Sequence, residues 1–188
     1  TCGIKGTDVA MSVARNELDV SLSSGRVELK NDDDLVMLEP GKMVKGIGKQ
    51  GSIKDKIRDI PYRVAIKPET KLEVPTRGTS SVTFSVQVIN TKTRGNHEMG
   101  GRIFLSANID KFDFPSVVLN DRGYANFSAV VKPFQKADYD KGHVEIFAVM
   151  EGDKILNVGS GHTTLGFKVP KRSIRTIQIN ANSGGAVN

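Results

Sequence analysis

The stretch SVTFSVQVIN, residues 81–90, decides the fold class of this chain. Val82, Phe84, Val86 and Val88 alternate with polar residues, as expected for a strand with one buried face. Similar apolar stretches, separated by turn residues, follow at 103–109, 117–119, 125–131, 144–150, 155–158, 164–169 and 174–179. Because short strands and turns at this spacing are typical of sandwiches and barrels, we predict an all-β fold.

The sequence before Tyr62 is less regular. Short strand-like stretches at 17–22, 26–30 and 35–38 predict a small β region, with a hairpin turn at Ser23-Ser24-Gly25. The Gly- and Lys-rich stretch 40–51 predicts a loop. After it, Ser52 and Asp55 resemble a capping box and isoleucines recur at helical spacing, which predicts a helix of about two turns ending at Pro61.

These patterns divide the chain into three parts. Residues 1–60 form an N-terminal arm and a small β region with one short helix. Residues 61–170 form a β-sandwich, and residues 171–188 form a C-terminal strand and tail.

Residues 68–169 resemble a bacterial immunoglobulin-like domain of the kind found in invasin-type adhesins and phage structural proteins. PETKLEVP (68–75) resembles the opening strand of that family, and residues 81–90 resemble its long second strand. VLNDRGYA (118–125) resembles the family turn "T-d-x-x-G-x-A" without its threonine, and DKGHVEIFA (140–148) resembles "a-G-x-y-x-v-x-A". The resemblance implies an immunoglobulin-like antiparallel β-sandwich, a fold that serves adhesion, spacing and assembly alike.

The net charge is +6, from 27 basic and 21 acidic residues. Such a charge favours an anionic partner, for example nucleic acid, lipid head groups or an acidic protein face. The densest basic stretches, 42–58 and 168–175, hold almost no aromatic residues that could stack on bases. We therefore expect a solvated basic surface more than a nucleic-acid site. No stretch reaches the roughly 20 apolar residues of a membrane-spanning helix.

Cys2 is the single cysteine, which excludes an internal disulfide and a cysteine-based zinc site. Cys2-Gly3 resembles the start of a mature bacterial lipoprotein, whose thiol carries the lipid. Thr1 precedes it, where the lipoprotein cleavage site usually has Gly, Ala or Ser. Cys2 is thus a candidate for lipidation and membrane anchoring; a plain terminal cysteine, or one paired with another chain, is the alternative.

No motif assembles a catalytic or metal site. GIGKQG at 46–51 matches the dinucleotide pattern G-x-G-x-x-G, but no alternating strands and helices follow it. His97, His143 and His162 have no ligand spacing, and Asp32-Asp33-Asp34 lacks the glycine and distal glutamate of an EF-hand loop. We therefore predict a protein that is not an enzyme and has no catalytic residue, cofactor or metal.

Ile174, Ile177 and Ile179 predict a strand beyond Val169, where the sandwich should have closed. A spare terminal strand, like the extended arm at 1–15, can add to the exposed edge of a neighbouring sheet. We therefore predict a non-enzymatic structural or assembly subunit of a cell envelope or extracellular structure. It would associate through β-strand addition by its termini, with copies of itself or with neighbouring envelope subunits. The alternative is a virion structural protein, a coat or decoration subunit with the same sandwich.

Overall fold

The computed structural model describes residues 2–168. They form mostly antiparallel β-sheet, which confirms the predicted all-β sandwich class. The N-terminal sheet contains β1 (Cys2–Ala14), β2 (Glu17–Lys30), β3 (Leu35–Leu38), β4 (Lys42–Ile47) and β5 (Ile57–Asp59). Its order is β1-β2-β4-β5, and β3 pairs with the distal half of β2.

Two further sheets pack face to face and form the sandwich. Its strands are β6 (Tyr62–Pro68), β7 (Ser80–Asn90), β8 (Gly101–Ala107), β9 (Phe112–Asp113), β10 (Val117–Leu119), β11 (Tyr124–Val131), β12 (His143–Met150), β13 (Val158–Gly159) and β14 (Gly161–Gly166). One sheet has the order β13-β6-β7-β11-β9 and the other β10-β8-β12-β14. From β7 onward each successive strand lies in the other sheet, so the chain crosses between the two sheets at every connection from β7 to β14.

The sandwich core is built from the alternation that the sequence predicts. Val82, Phe84, Val86 and Val88 of β7 are fully buried. Phe84 stacks on Phe127 of β11, with ring centroids 5.2 Å apart. Both sheets contribute to this apolar cluster, which extends from β6 to β14.

A second, separate apolar cluster lies within the N-terminal sheet. Val20, Leu22, Val27, Leu29, Leu38 and Ile53 are among its buried members. Hydrogen bonds join this sheet to the sandwich: the Ser160 N–H donates to Ser23 Oγ at 2.9 Å, and Lys45 Nζ donates to Asn157 Oδ1 at 2.9 Å.

The predicted hairpin turn at Ser23-Ser24-Gly25 is wrong. β2 runs through this point as one strand, and a register shift opposite Asp8 together with a positive φ of 85° at Gly25 absorbs the irregularity. The hairpin turn lies instead at Arg15 and Asn16, where φ is 50° and 64°. The prediction failed because β1 pairs with β2 along almost its whole length, a partner that local turn chemistry does not reveal.

The predicted loop at 40–51 and helix at 52–60 are also wrong. The loop contains β4, and the helix is a single 3-10 turn, Lys54–Lys56, followed by β5. Ile53 is buried in the N-terminal cluster, while Ile57 pairs with Val44 of β4. Strand pairing therefore prevails over the helical spacing of the isoleucines. The one short α-helix of the described residues is Lys136–Tyr139.

Candidate interaction surface

β1 is an outer strand of the N-terminal sheet. It pairs with β2 from Cys2 opposite Leu29 to Ala14 opposite Glu17. No strand within residues 2–168 pairs with its other side. An outer strand presents unpaired backbone N–H and C=O groups to a partner, so the length and charge of β1 determine how readily it accepts one.

The part of β1 after Asp8 lacks the features that usually protect an outer strand. β1 is 13 residues long, and residues 9–14, VAMSVA, include no charged residue and no proline. The outer strands elsewhere in the described chain have between two and six residues; these are β3, β5, β9, β10, β13 and β14. Long uncharged edges favour pairing with another chain.

Two apolar side chains of β1 lie on the same face as the N-terminal core but are exposed. Met11 lies opposite Val20 and Val13 lies opposite Leu18, on the face that holds the apolar cluster. Val20 is fully buried, whereas Met11 is 45% exposed and Val13 is 73% exposed. We call residues 9–14, with Met11 and Val13 exposed, the β1 edge.

The β1 edge is held in place against the sandwich. Asp8, directly before it, accepts a hydrogen bond from Ser160 Oγ, and the Ser160 N–H binds Ser23 of β2 at 2.9 Å. β1 and β2 also lie against the 3-10 turn at 152–156. The edge is therefore presented on a fixed support, which reduces the conformational entropy lost when a partner binds.

The residues singled out from the sequence do not all fall in the described part. Cys2 begins β1, with its Cα opposite that of Leu29. Ile174, Ile177 and Ile179 lie outside the described residues. The sequence predicted an arm or a short strand at 1–15 but did not single out the edge at 9–14. The alternation of Val9, Met11 and Val13 was the signal that could have revealed it.

The three histidines do not form a site. His97 stacks on Tyr62 with ring centroids 3.9 Å apart, His143 lies 3.5 Å from Glu145, and His162 contacts the ring of Phe147. Among residues 2–168, no group of three or more His, Cys, Asp or Glu side chains could hold a metal ion.

The acidic turn at 31–34 fixes a neighbouring loop. Asp33 Oδ2 accepts the N–H of Gly51 at 2.6 Å, and Asp34 Oδ2 accepts those of Ile53 and Lys54 at 3.1 and 3.2 Å. Desolvation raises the pKa of Asp34, but the Lys54 and Ile53 N–H bonds and the Lys54 charge outweigh it, so its pKa lies below 3.8. The Asp33 carboxylate thus holds the end of the G-x-G-x-x-G stretch, and the Asp34 carboxylate holds the 3-10 turn that follows it.

A cleft of about 580 Å³ between the N-terminal sheet and the sandwich contains Asp8, Ser160 and His162. Their contacts are not those of a hydrolase triad, in which histidine lies between serine and carboxylate. Ser160 donates directly to Asp8, and His162 makes only its ring contact with Phe147 within the described residues.

Most of the cations in the basic stretch 42–58 bind local acceptors. Lys42 lies 2.6 Å from Asp59 and Lys54 lies 3.5 Å from Asp34. Arg58 donates to the carbonyl of Asp55 at 2.7 Å. These contacts tie the charges to their own sheet, as in a solvated basic surface.

Comparison with known proteins adds no further constraint. No family model, curated protein or solved structure matches the chain. In the part that the structure describes, no helix is long and apolar enough to cross a membrane.

Proposed function

We propose that the protein is a non-enzymatic structural or assembly subunit that joins its neighbours through β-strand addition by its termini. The β1 edge is the observation that carries this proposal. A partner strand would form main-chain hydrogen bonds with the free side of β1 and would cover Met11 and Val13 with its own side chains. The C-terminal strand at 173–180 stays a prediction from the sequence.

A second copy of the chain is a suitable partner for the β1 edge. Antiparallel pairing about a two-fold axis centred on Met11 sets Val9 of each copy opposite Val13 of the other. All of these side chains then lie on the core face, while Ala10 and Ser12 lie together on the opposite face. Because residues 9–14 carry no charge, this self-pairing brings no like charges together.

Light scattering on a size-exclusion column tests the proposal with the purified full chain. Met11→Lys places a charge on the edge and should convert the associated species to monomer. Met37→Lys is the matched control, because Met37 is 48% exposed on β3 against 45% for Met11. The control should associate as the unaltered chain does. Equal behaviour of the two variants would refute assembly through β1.

We further propose that this assembly belongs to a cell envelope or an extracellular structure. The Cys2-Gly3 pair supports an envelope location through its resemblance to lipoproteins. The intact mass of native material tests this directly: a lipid adduct on Cys2 is expected, and an unmodified thiol would remove the support for membrane anchoring.

The alternative, a virion coat or decoration subunit, is favoured by one feature of the surface. Lys45, Lys56 and Arg58 outnumber the single carboxylate, Asp59, in the lining of a cleft of about 420 Å³ beside Asn157. A phosphate backbone bound there would be released steeply by added salt. Binding of duplex DNA or RNA that weakens with salt, and that weakens further in Lys45→Glu, would favour this alternative over the envelope subunit.

A further inference from the structure

A groove runs along the free side of β14, the outer strand at one end of the β10-β8-β12-β14 sheet. One bank is the chain that continues β6, residues 68–74, and the other is residues 164–168. β6 and β14 touch where a Cβ on Gly161 would lie 2.2 Å from the carbonyl oxygen of Val64. Beyond that contact the groove between the two banks has a volume of about 830 Å³.

The groove has the chemistry to accept an extended strand. Leu72, Leu165, Phe167 and Tyr139 give it an apolar lining. The ring centroids of Phe167 and Tyr139 lie 5.7 Å apart. Within residues 2–168, the backbone N–H groups of 71–74 donate no hydrogen bond, and no strand pairs with the groove side of β14. The N–H groups of 71–74 and the free side of β14 can therefore bond to a strand laid between them, while the Glu73 carbonyl already accepts a hydrogen bond from Ser80 Oγ at 2.5 Å.

We propose that the groove binds the chain's own C-terminal strand, residues 174–179, antiparallel to β14. The chain leaves the described region at Lys168, which itself lines the groove, and 20 residues follow. Residues 169–173 then form the connection, whose five residues span up to about 16–18 Å, enough to reverse direction. Attachment at Lys168 also gives the strand a millimolar-scale effective concentration at the groove.

The apolar residues of the C-terminal strand would then pack against the lining of the groove. Ile177 and Ile179 are two positions apart, so both point to the same face of a strand and contact Leu72 and Leu165. This inference does not rest on assembly through β1. If it holds, the C-terminal strand binds within its own chain, and the β1 edge alone mediates association between chains.

Hydrogen exchange on the full chain tests the proposal, with mass spectrometry following the peptide that covers residues 70–76. In the unaltered chain we expect its amides to exchange about tenfold slower, or more, than in the double variant Ile177→Glu/Ile179→Glu. Val187→Glu, beyond the strand, is the matched control and should keep the slow exchange. Leu72→Glu tests the groove itself and should accelerate exchange in β14, whereas Thr79→Glu in the same loop should not.

Three results would overturn the proposal. The first is exchange at 70–76 that is equally fast in the unaltered chain and the double variant. The second is slow exchange that survives Ile177→Glu/Ile179→Glu. The third is slow exchange that appears only as protein concentration rises, which would assign the strand to a second copy. Met11→Lys is measured in parallel: its effect on association reports on the β1 edge, so the two proposals fail separately.

Discussion

The sandwich covers the apolar faces of its sheets more completely than the N-terminal sheet covers its own. In the sandwich, the apolar row of β7 is fully buried because a second sheet lies over it. In the N-terminal sheet, the side chains on the core face include the buried Val20 of β2, but also Met11 and Val13 of β1, which are exposed. The difference supports the proposal that the open sheet supplies the surface for a partner, while the closed sandwich stabilises the fold.

The largest effect is expected at the centre of the closed core. Phe84→Ala removes a fully buried ring that stacks on Phe127, and it should lower the free energy of unfolding by about 3–5 kcal/mol. Urea denaturation measures this change. A loss below about 1 kcal/mol would show that the sandwich core is not tightly packed.

The next effect tests whether the two cores are independent. Ile53→Ala should destabilise the N-terminal sheet by about 2–5 kcal/mol, since Ile53 is 1% exposed in that cluster. Hydrogen exchange should accelerate in β2 and stay unchanged in β7, because the two clusters share no residue. Equal acceleration in both strands would mean that the two regions unfold as one unit.

A smaller effect separates backbone strain from close packing in the sandwich. Gly123 has φ of 69°, and a Cβ there would lie 2.1 Å from the carbonyl oxygen of His97. Gly78 has a similar φ of 67° with nothing within 4 Å, which makes Gly78→Ala the matched control. Gly123→Ala should cost about 1–3 kcal/mol more than Gly78→Ala in thermal unfolding. Equal costs would show that the turn shifts to make room.

The smallest effect concerns acid stability of the N-terminal sheet. Because the pKa of Asp34 is lowered on folding, its contribution is present above 3.8 and is lost as pH falls through the folded value. Asp34→Asn should therefore reduce stability at neutral pH and weaken its fall in acid. Asp32→Asn is the control, since the Asp32 carboxylate makes no hydrogen bond or ion pair within the described residues. Parallel acid unfolding curves for Asp34→Asn and the unaltered chain would contradict this role.

The sequence predicted β7, β11 and β12 well because their signal is local. The alternation in β7 and β12 reports directly on which side chains face the core. The strand predicted at 155–158 is wrong in its first half, where a 3-10 turn spans Gly152–Leu156, and residues 69–75, which resemble an opening strand, form no strand. The N-terminal region was predicted less well, because its boundaries depend on distant partners. β4 contains lysines, which led to the prediction of a loop. It forms a strand because β2 and β5 pair with it on either side.

The candidate site was only half predictable. The sequence predicted that a chain end adds a strand, but it placed this role in the isoleucines at 174–179 and in the whole arm at 1–15 without singling out residues 9–14. The β1 edge depends on which side of β1 is occupied by β2. That pairing is set by the turn at Arg15 and Asn16 and by the bulge near Gly25, and neither gives a strong local signal.

The central claim, that the β1 edge is where a partner strand adds, is tested most directly by hydrogen exchange at residues 9–14 as protein concentration is raised. Amides on the side of β1 away from β2 should exchange fast in dilute protein and become protected as the chain associates. Met11→Lys should keep them fast at every concentration. Fast exchange of these amides in a sample that light scattering shows to be associated would contradict the claim.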